Sequence, residues 1–213
     1  MVTAIRAQGT KIKIETGTGE AKNITAITKA YPPVVTAASH GLSEGDRVTI
    51  ASVGGMTELN GNTYTIDYVT TNTFCLKDVD ASGYGSYTSG GTATPVTMTA
   101  IGGAKNIDTG GGKTSEVDTT DLDSTAKEFV SGLPDYGEAS FECNVDFSDA
   151  GQNAIRERFE DGAEVDFQVV YADTGTTTEN FTGFVSGYGT KLSVDGVVTA
   201  SVTIRKKGVT TWA

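Results

Sequence analysis

Apolar and polar residues alternate with period two through much of this chain. In FECNVDF, Phe141, Cys143, Val145 and Phe147 alternate with Glu142, Asn144 and Asp146, which predicts a strand with one buried face. Val165, Phe167 and Val169 repeat the pattern, as do Ile12 and Ile14 within residues 8–15. Between residues 148 and 162 the period changes. Ser148 and Asp149 offer N-cap oxygens, Gln152 stands three residues after Asp149, and Ala154, Ile155 and Phe159 form a helical stripe. Arg156 and Glu160 are spaced to pair, and Gly162 suits the C-cap. No second stretch reads as a convincing helix. A lone helix among long strands is expected to plug one opening of a strongly curved sheet.

From about Asn23 to Thr92 the texture is finer. ITAITKA, PPVVTAA, DRVTIAS, NTYTIDYV and TFCLKDVD are short strands punctuated by HGLSEG, GGMTELNGN and SGYGSYTSGG. Such regular spacing predicts a small, self-contained β module at 23–93, flanked by core segments 1–22 and 94–213. The final strands, around FTGFVSGYG and DGVVTASVTIRKKG, read as a hairpin turning at Asp195-Gly196, with Val198, Ala200, Val202 and Ile204 on one face.

Hydrophobic residues make up 37% of the 213 residues, enough for a core, and 27 glycines against 4 prolines suit strands joined by tight turns. Net charge is −11, which disfavours nucleic-acid binding through the surface. The acids are concentrated: residues 105–149 hold eleven against three lysines. The N-terminus shows no run suited to a signal peptide, and no stretch approaches a membrane span, so synthesis in a cytoplasm is expected. Cys75 and Cys143 lie in different predicted strands and read as buried, reduced thiols.

Motifs for chemistry are incomplete. GGGKTS at 110–115 lacks the first glycine of a phosphate loop, since position 107 is Ile, and an acidic stretch follows in place of a helix. Asp78, Asp80, Ser82 and Gly83 mimic half of a calcium loop, but the twelfth position is Ser89. Asp118, Asp121 and Asp123 lack a glycine turn and a closing Glu. His40 is the only histidine and has no nucleophile pattern around it. Neither a catalytic residue, a metal nor a cofactor is expected.

Two resemblances organise these observations. PVVTAASHGLSEGDRVTI, VGGMTELNGNTYTI and TTNTFCLKDVDASGYGSYTSGGTA look like a small β-barrel-like module found inserted in phage tail proteins. That module is also similar to the first catalytic cysteine half-domain of ubiquitin-activating enzymes. VTMTAIGGAKNID, EVDTTDLDS, KEFVSGLPDYGEASFECNVDF, DAGQNAIRERFEDG, FTGFVSGYG and DGVVTASVTIRKKG, in that order, resemble the major tail tube protein of long, non-contractile-tailed bacteriophages, the siphophage tail tube family.

The resemblance implies a mainly β chain: a curved β-sandwich or barrel, the tail-tube fold, with one α-helix and an inserted small all-β module facing outward. It implies a structural virion protein of the tail, made in the host cytoplasm, that forms stacked hexameric rings around the tape-measure protein. The tail terminator and baseplate or tip proteins are further expected partners, and DNA passes the lumen without tight binding. The candidate inter-subunit arm runs from about Asp108 to Lys127 and includes Glu116, Val117, Asp118, Asp121, Leu122 and Asp123. It is expected to be mobile in the monomer and to pair on assembly with an edge supplied by a neighbour. Its candidate basic contacts are Lys11, Lys13, Arg205, Lys206 and Lys207. Two other readings stand beside this one: a tube protein of a contractile or secretion apparatus, and a carbohydrate-binding surface module using Tyr64, Tyr68, Tyr84 and Tyr87.

The charge balance makes one outcome measurable. Duplex DNA should give no gel shift at micromolar protein and physiological salt; a shift with steep salt dependence would reveal a basic face, with Arg205, Lys206 and Lys207 the first residues to test.

Overall fold

The computed structural model describes residues 4, 6–174 and 177–212. Of the expected core segments 1–22 and 94–213, residues 1–3, 5, 175, 176 and 213 lie outside the described ones. The chain opens with β1 (Lys11–Thr18) and continues through β2 (Lys22–Ile27), β3 (Val34–Ala37), β4 (Arg47–Gly54), β5 (Asn62–Asp67), β6 (Thr73–Leu76) and β7 (Ser89–Ala100). Then come β8 (Ala104–Asp108), β9 (Lys113–Asp118), β10 (Phe129–Asp135), β11 (Glu138–Asn144), the helix α1 (Ala150–Asp161), β12 (Val165–Val170), β13 (Thr178–Lys191) and β14 (Thr199–Trp212). Among the described residues α1 is the only α-helix, so the mainly β fold with one helix is as the sequence pattern predicts.

The chain folds as two units. The first gathers residues up to 14, Ala100–Asp173 and Glu179–Thr211; the second is built on Glu15–Thr99.

In the second unit β2, β3, β6, β5, β4 and β7 follow one another, and β7 pairs back onto β2 through Lys22↔Ala93 and Asn23↔Thr92. All six pairings are antiparallel, which gives a closed six-stranded barrel with no free edge. Val35, Val48, Ile50, Met56, Leu59, Phe74 and Leu76 fill it. Asn60 fixes the loop between β4 and β5, accepting from the Val53 N–H at 2.8 Å and donating to the Val53 carbonyl at 3.0 Å. His40 lies inside: its Nδ1 accepts from the Leu42 N–H and its ring meets Phe74 edge-on. Three of the four tyrosines weighed as an aromatic platform serve this unit's packing. Tyr64, Tyr84 and Tyr87 rest against the core, and the Tyr87 hydroxyl donates to the Ile24 or Gly90 carbonyl.

In the first unit the sheet order is β1, β12, β13, β14, β11, β8. The register Ile12↔Val169 and Ile14↔Phe167 sets β1 against β12, and Phe141↔Val202 sets β11 against β14. Ile12, Ile14, Phe141, Cys143, Phe167, Phe181, Val185, Val202 and Ile204 form the core with Ile155 of the helix. Both cysteines are buried and free, and burial pushes their thiols up from the usual value.

The helix is capped as its sequence predicts at both ends. Asp149 accepts from the Gln152 N–H at 2.8 Å, and Gly162, in the left-handed conformation, returns its N–H to the Arg158 carbonyl. Only its first half is buried, at Gly151, Gln152, Ala154 and Ile155. A Cβ on Gly151 would stand 2.4 Å from the Ala100 carbonyl oxygen, so this close approach requires glycine.

Several local expectations are corrected. β11 ends at Asn144, so Phe147 falls beyond the strand and is 75% exposed, under the Arg156 guanidinium. Phe159 is half-exposed for the same reason that the second half of α1 is: it lies past the packed turn. Arg156 meets Asn153 and Phe147, and Arg158 pairs with Asp161; the anticipated Arg156–Glu160 pair is not formed because those nearer partners hold the guanidinium groups. β13 and β14 are joined by a loop of residues 192–198, with a turn in which the Gly196 N–H meets the Ser193 carbonyl, in place of a tight Asp195-Gly196 turn, and Val198 is left partly exposed. Gln152 does not close a capping box: its Oε1 accepts from the Asp146 N–H, while its Nε2 donates to the Gly102 and Asn144 carbonyls at 2.8 Å each.

Gln152 thus satisfies backbone groups from two separate connections inside a buried site. Replacing it with Leu should cost more than losing the cap. Denaturant unfolding is expected to show a loss of about 1 kcal/mol for Asp149→Ala and about 2–4 kcal/mol for Gln152→Leu.

Candidate assembly surface

The predicted arm is a hairpin. β9 and β10 form a separate two-stranded sheet with the register Asp118↔Phe129, Val117↔Val130 and Glu116↔Ser131, and a bulge between Ser131 and Pro134. Here the structure corrects an expectation. The edge that β9 joins comes from residues 129–135 of its own chain, because Thr, Ser and Val at 114–117 meet Phe129 and Val130 at hairpin distance in sequence. Gly132 permits the close pairing, since a Cβ there would stand 2.2 Å from the Ser115 hydroxyl.

The tip is ordered by its own acids. Asp118 accepts from the Thr120 N–H at 2.9 Å, Asp121 accepts from the Asp123 N–H and the Ser124 hydroxyl at 3.0 Å each, and the Glu128 N–H meets the Thr120 hydroxyl. Hydrogen bonds from Thr120 hold the Asp118 carboxyl below its usual range, and those from Ser124, then Asp123, do so for Asp121. These carboxylates cap turns. Among the described residues no group of three or more His, Cys, Asp or Glu is placed to hold a metal ion.

Among the described residues the hairpin's apolar groups are left largely uncovered. Val117, Phe129 and Val130 are each more than half exposed, Leu133 is 87% exposed, and Leu122 stands fully in solvent at the tip. Val117 and Val130, directly opposite, share one face; Phe129 lies on the other with Glu116 and Asp118. Apolar surface thus lies on both faces of the two-stranded ribbon, which makes it the candidate contact surface.

The basic residues expected to meet the arm separate into four groups. Arg205 grips Asp135 at the hairpin's base, at 2.7 Å, and approaches Glu138 at 3.8 Å. The Gly137 N–H first and Arg205 second hold the Asp135 carboxyl down. Lys207 pairs with Glu164 at 2.7 Å on the surface. Lys11 and Lys13 project from β1, on alternate positions to the buried Ile12 and Ile14. Lys206 is corrected outright: its side chain is 4% exposed, its ammonium lies 3.0 Å from Glu179 and 4.5 Å from the Phe181 ring centre. On β14 it follows the inward row of Ala200, Val202 and Ile204, which places it inside and takes it out of the outward contacts. The Tyr171 hydroxyl also donates to Glu179, and burial together with that carboxylate pushes Tyr171 up to about 12. Periodicity alone would have put Lys206 on the inward face; its charge argued otherwise.

A cleft of about 630 Å³ runs beside β8, lined by Ala104–Thr109, Thr10, Val169 and Tyr171 among others. β8 ends the sheet, short and irregular, with a register shift opposite Ser140 and Glu142 and Asn106 at φ +52°. Such features guard an edge against indiscriminate pairing.

The exposed ribbon of β9 and β10, the irregular β8 edge and the acidic balance are the features of this surface. Residues 85–213 match the family described as "Lambda phage tail tube protein, TTP". This chain belongs to that family. It is a structural component of a phage tail and not an enzyme. Within the tail tube protein, residues 32–97 also match the family described as "Ubiquitin-activating enzyme E1 FCCH domain". A solved chain titled as the tail of an empty GTA particle, computed with helical refinement under C6 symmetry, is similar at 20% identity and a TM-score of 0.46, over 55% of this chain and 86% of that one. No curated protein matches the sequence.

The buried pair offers a direct test of its role in this tail tube protein. Lys206→Ala strands the Glu179 carboxylate, and denaturant unfolding should show a loss of about 3–5 kcal/mol. The double variant Lys206→Met/Glu179→Leu should recover most of it, because neither charge then needs a partner.

Proposed function

We propose that this tail tube protein assembles as stacked hexameric rings around a tape-measure protein and that the resulting lumen conducts DNA in the virion tail. The observation that carries this reading is the hairpin of β9 and β10. It presents Val117, Leu122, Phe129, Val130 and Leu133 to solvent, and a neighbouring copy in the same or the next ring supplies the surface that covers them. The β8 edge, with its adjoining cleft, offers backbone groups for a second contact between copies. The barrel of the second unit has closed its own edges, so it joins no neighbour's sheet and is carried as an insertion in the loop after β1.

The acidic balance suits the conduit. A wall of like charge prevents the counterion release that would hold DNA in transit. The acids at the hairpin tip, Asp118, Asp121 and Asp123, meet basic groups of a neighbour. Lys11 and Lys13 are the proposed partners, since Arg205 and Lys207 are already paired within the chain. Exposed pairs of this kind contribute about 0–1 kcal/mol each, so they set register and leave affinity to the apolar groups.

Replacing residues 114–134 with an Asn-Gly turn should leave a cooperatively folded monomer, because the hairpin shares little of the core, and should abolish tubes in negative-stain electron microscopy. Val117→Asp/Val130→Asp should do the same without shortening the chain. Normal tubes from both variants would overturn the hairpin's role.

A further inference from the structure

The second unit carries an exposed aromatic cleft that nothing in tube assembly requires. Tyr31, Pro32, Asp67, Tyr68, Lys77 and Asp78 line a space of about 220 Å³ at one end of β5 and β6. Tyr31 is 65% and Tyr68 70% exposed, whereas Tyr64, Tyr84 and Tyr87 pack against the barrel core. Two tyrosine rings left in water beside two carboxylates and an ammonium stand out in a barrel whose other aromatics pack against its core.

The cleft is held rigidly. The Leu76 N–H meets the Pro33 carbonyl at 3.1 Å, the Ala81 N–H meets Ala30 at 3.1 Å, and the Lys77 N–H meets Thr65 at 2.9 Å. These bonds tie the three segments that bear the lining residues. Tyr68 and Asp78 both adopt left-handed backbone, at φ +48° and +57°, a conformation that side-chain-bearing residues avoid. The Tyr68 N–H is satisfied by Asp67 Oδ1 at 2.8 Å, which steadies that turn. Strain retained by surrounding bonds, at residues that line a cleft, accompanies binding sites.

The chemistry selects the ligand. A tyrosine face attracts the polarised C–H groups of a sugar ring, while carboxylates accept from hydroxyls and an ammonium donates to them. Two acids and one lysine leave the lining net negative, which turns away sulfated, phosphorylated and sialylated sugars. Lys77 already supplies a cation beside the two rings, so a quaternary ammonium group would compete with it for the carboxylates, and choline is the control ligand. The space corresponds to about seven water volumes of roughly 30 Å³, enough for a single ring. We propose that the cleft of Tyr31, Tyr68, Asp67, Lys77 and Asp78 binds one ring of a neutral saccharide.

A single ring of about a dozen heavy atoms binds in the millimolar range, so multivalent display is the right first probe. The full chain should bind at least one neutral glycan on an array, and the corresponding monosaccharide should shift the amide resonances of Tyr68, Lys77 and Asp78 in solution. Tyr31→Ala and Tyr68→Ala should each weaken binding at least tenfold, and Asp78→Asn several-fold, with the unfolding midpoint unchanged. The proposal is overturned if no neutral glycan is bound, if both tyrosine variants bind as the parent does, or if choline displaces the glycan and binds more tightly.

Discussion

Every strand at the edge of a sheet carries backbone N–H and C=O groups that must find a partner or face water. The two units of this chain meet that constraint in different ways. The barrel of residues 15–99 turns its sheet until β7 reaches β2 and leaves no edge. The other unit stops at β8 and adds a ribbon that has two strands among the described residues. A two-stranded ribbon with apolar groups on both faces is marginal alone. Its stability therefore depends on what covers those groups.

Charge in the first unit divides between interior and surface. Inside, Lys206 and Glu179 neutralise each other beneath Tyr171 and above Phe181, where one charge without the other would be costly. Outside, acids are used locally. Asp118, Asp121, Asp135 and Asp146 each accept hydrogen bonds from a turn, and these bonds hold their carboxyls low. The net charge of −11 is thus partly a set of turn caps that also serve as an electrostatic surface.

Local rules carried the reading of the sequence a long way. Alternation placed Ile12, Ile14, Phe141, Cys143, Phe167 and Val169 inward, and Asp149 and Gly162 delimited the helix, because period and capping depend on near neighbours alone. Family resemblance was read over about 1–20 and 94–213, and the family match, over 85–213, agrees with its second part.

Near-neighbour pattern sufficed to read most of the strands, both ends of the helix and the sign of the surface, but it left β9 as part of a mobile arm. The tertiary structure alone decided which partner each segment takes. β9 pairs with β10 because the chain returns at Phe129, Lys206 finds Glu179 twenty-seven positions away, and Gln152 reaches the Gly102 and Asn144 carbonyls. Of four tyrosines that look alike in sequence, three turn into the barrel and Tyr68 joins Tyr31 outside. Pairings between distant residues depend on chain closure and packing, and these are properties of the whole fold that no local period records.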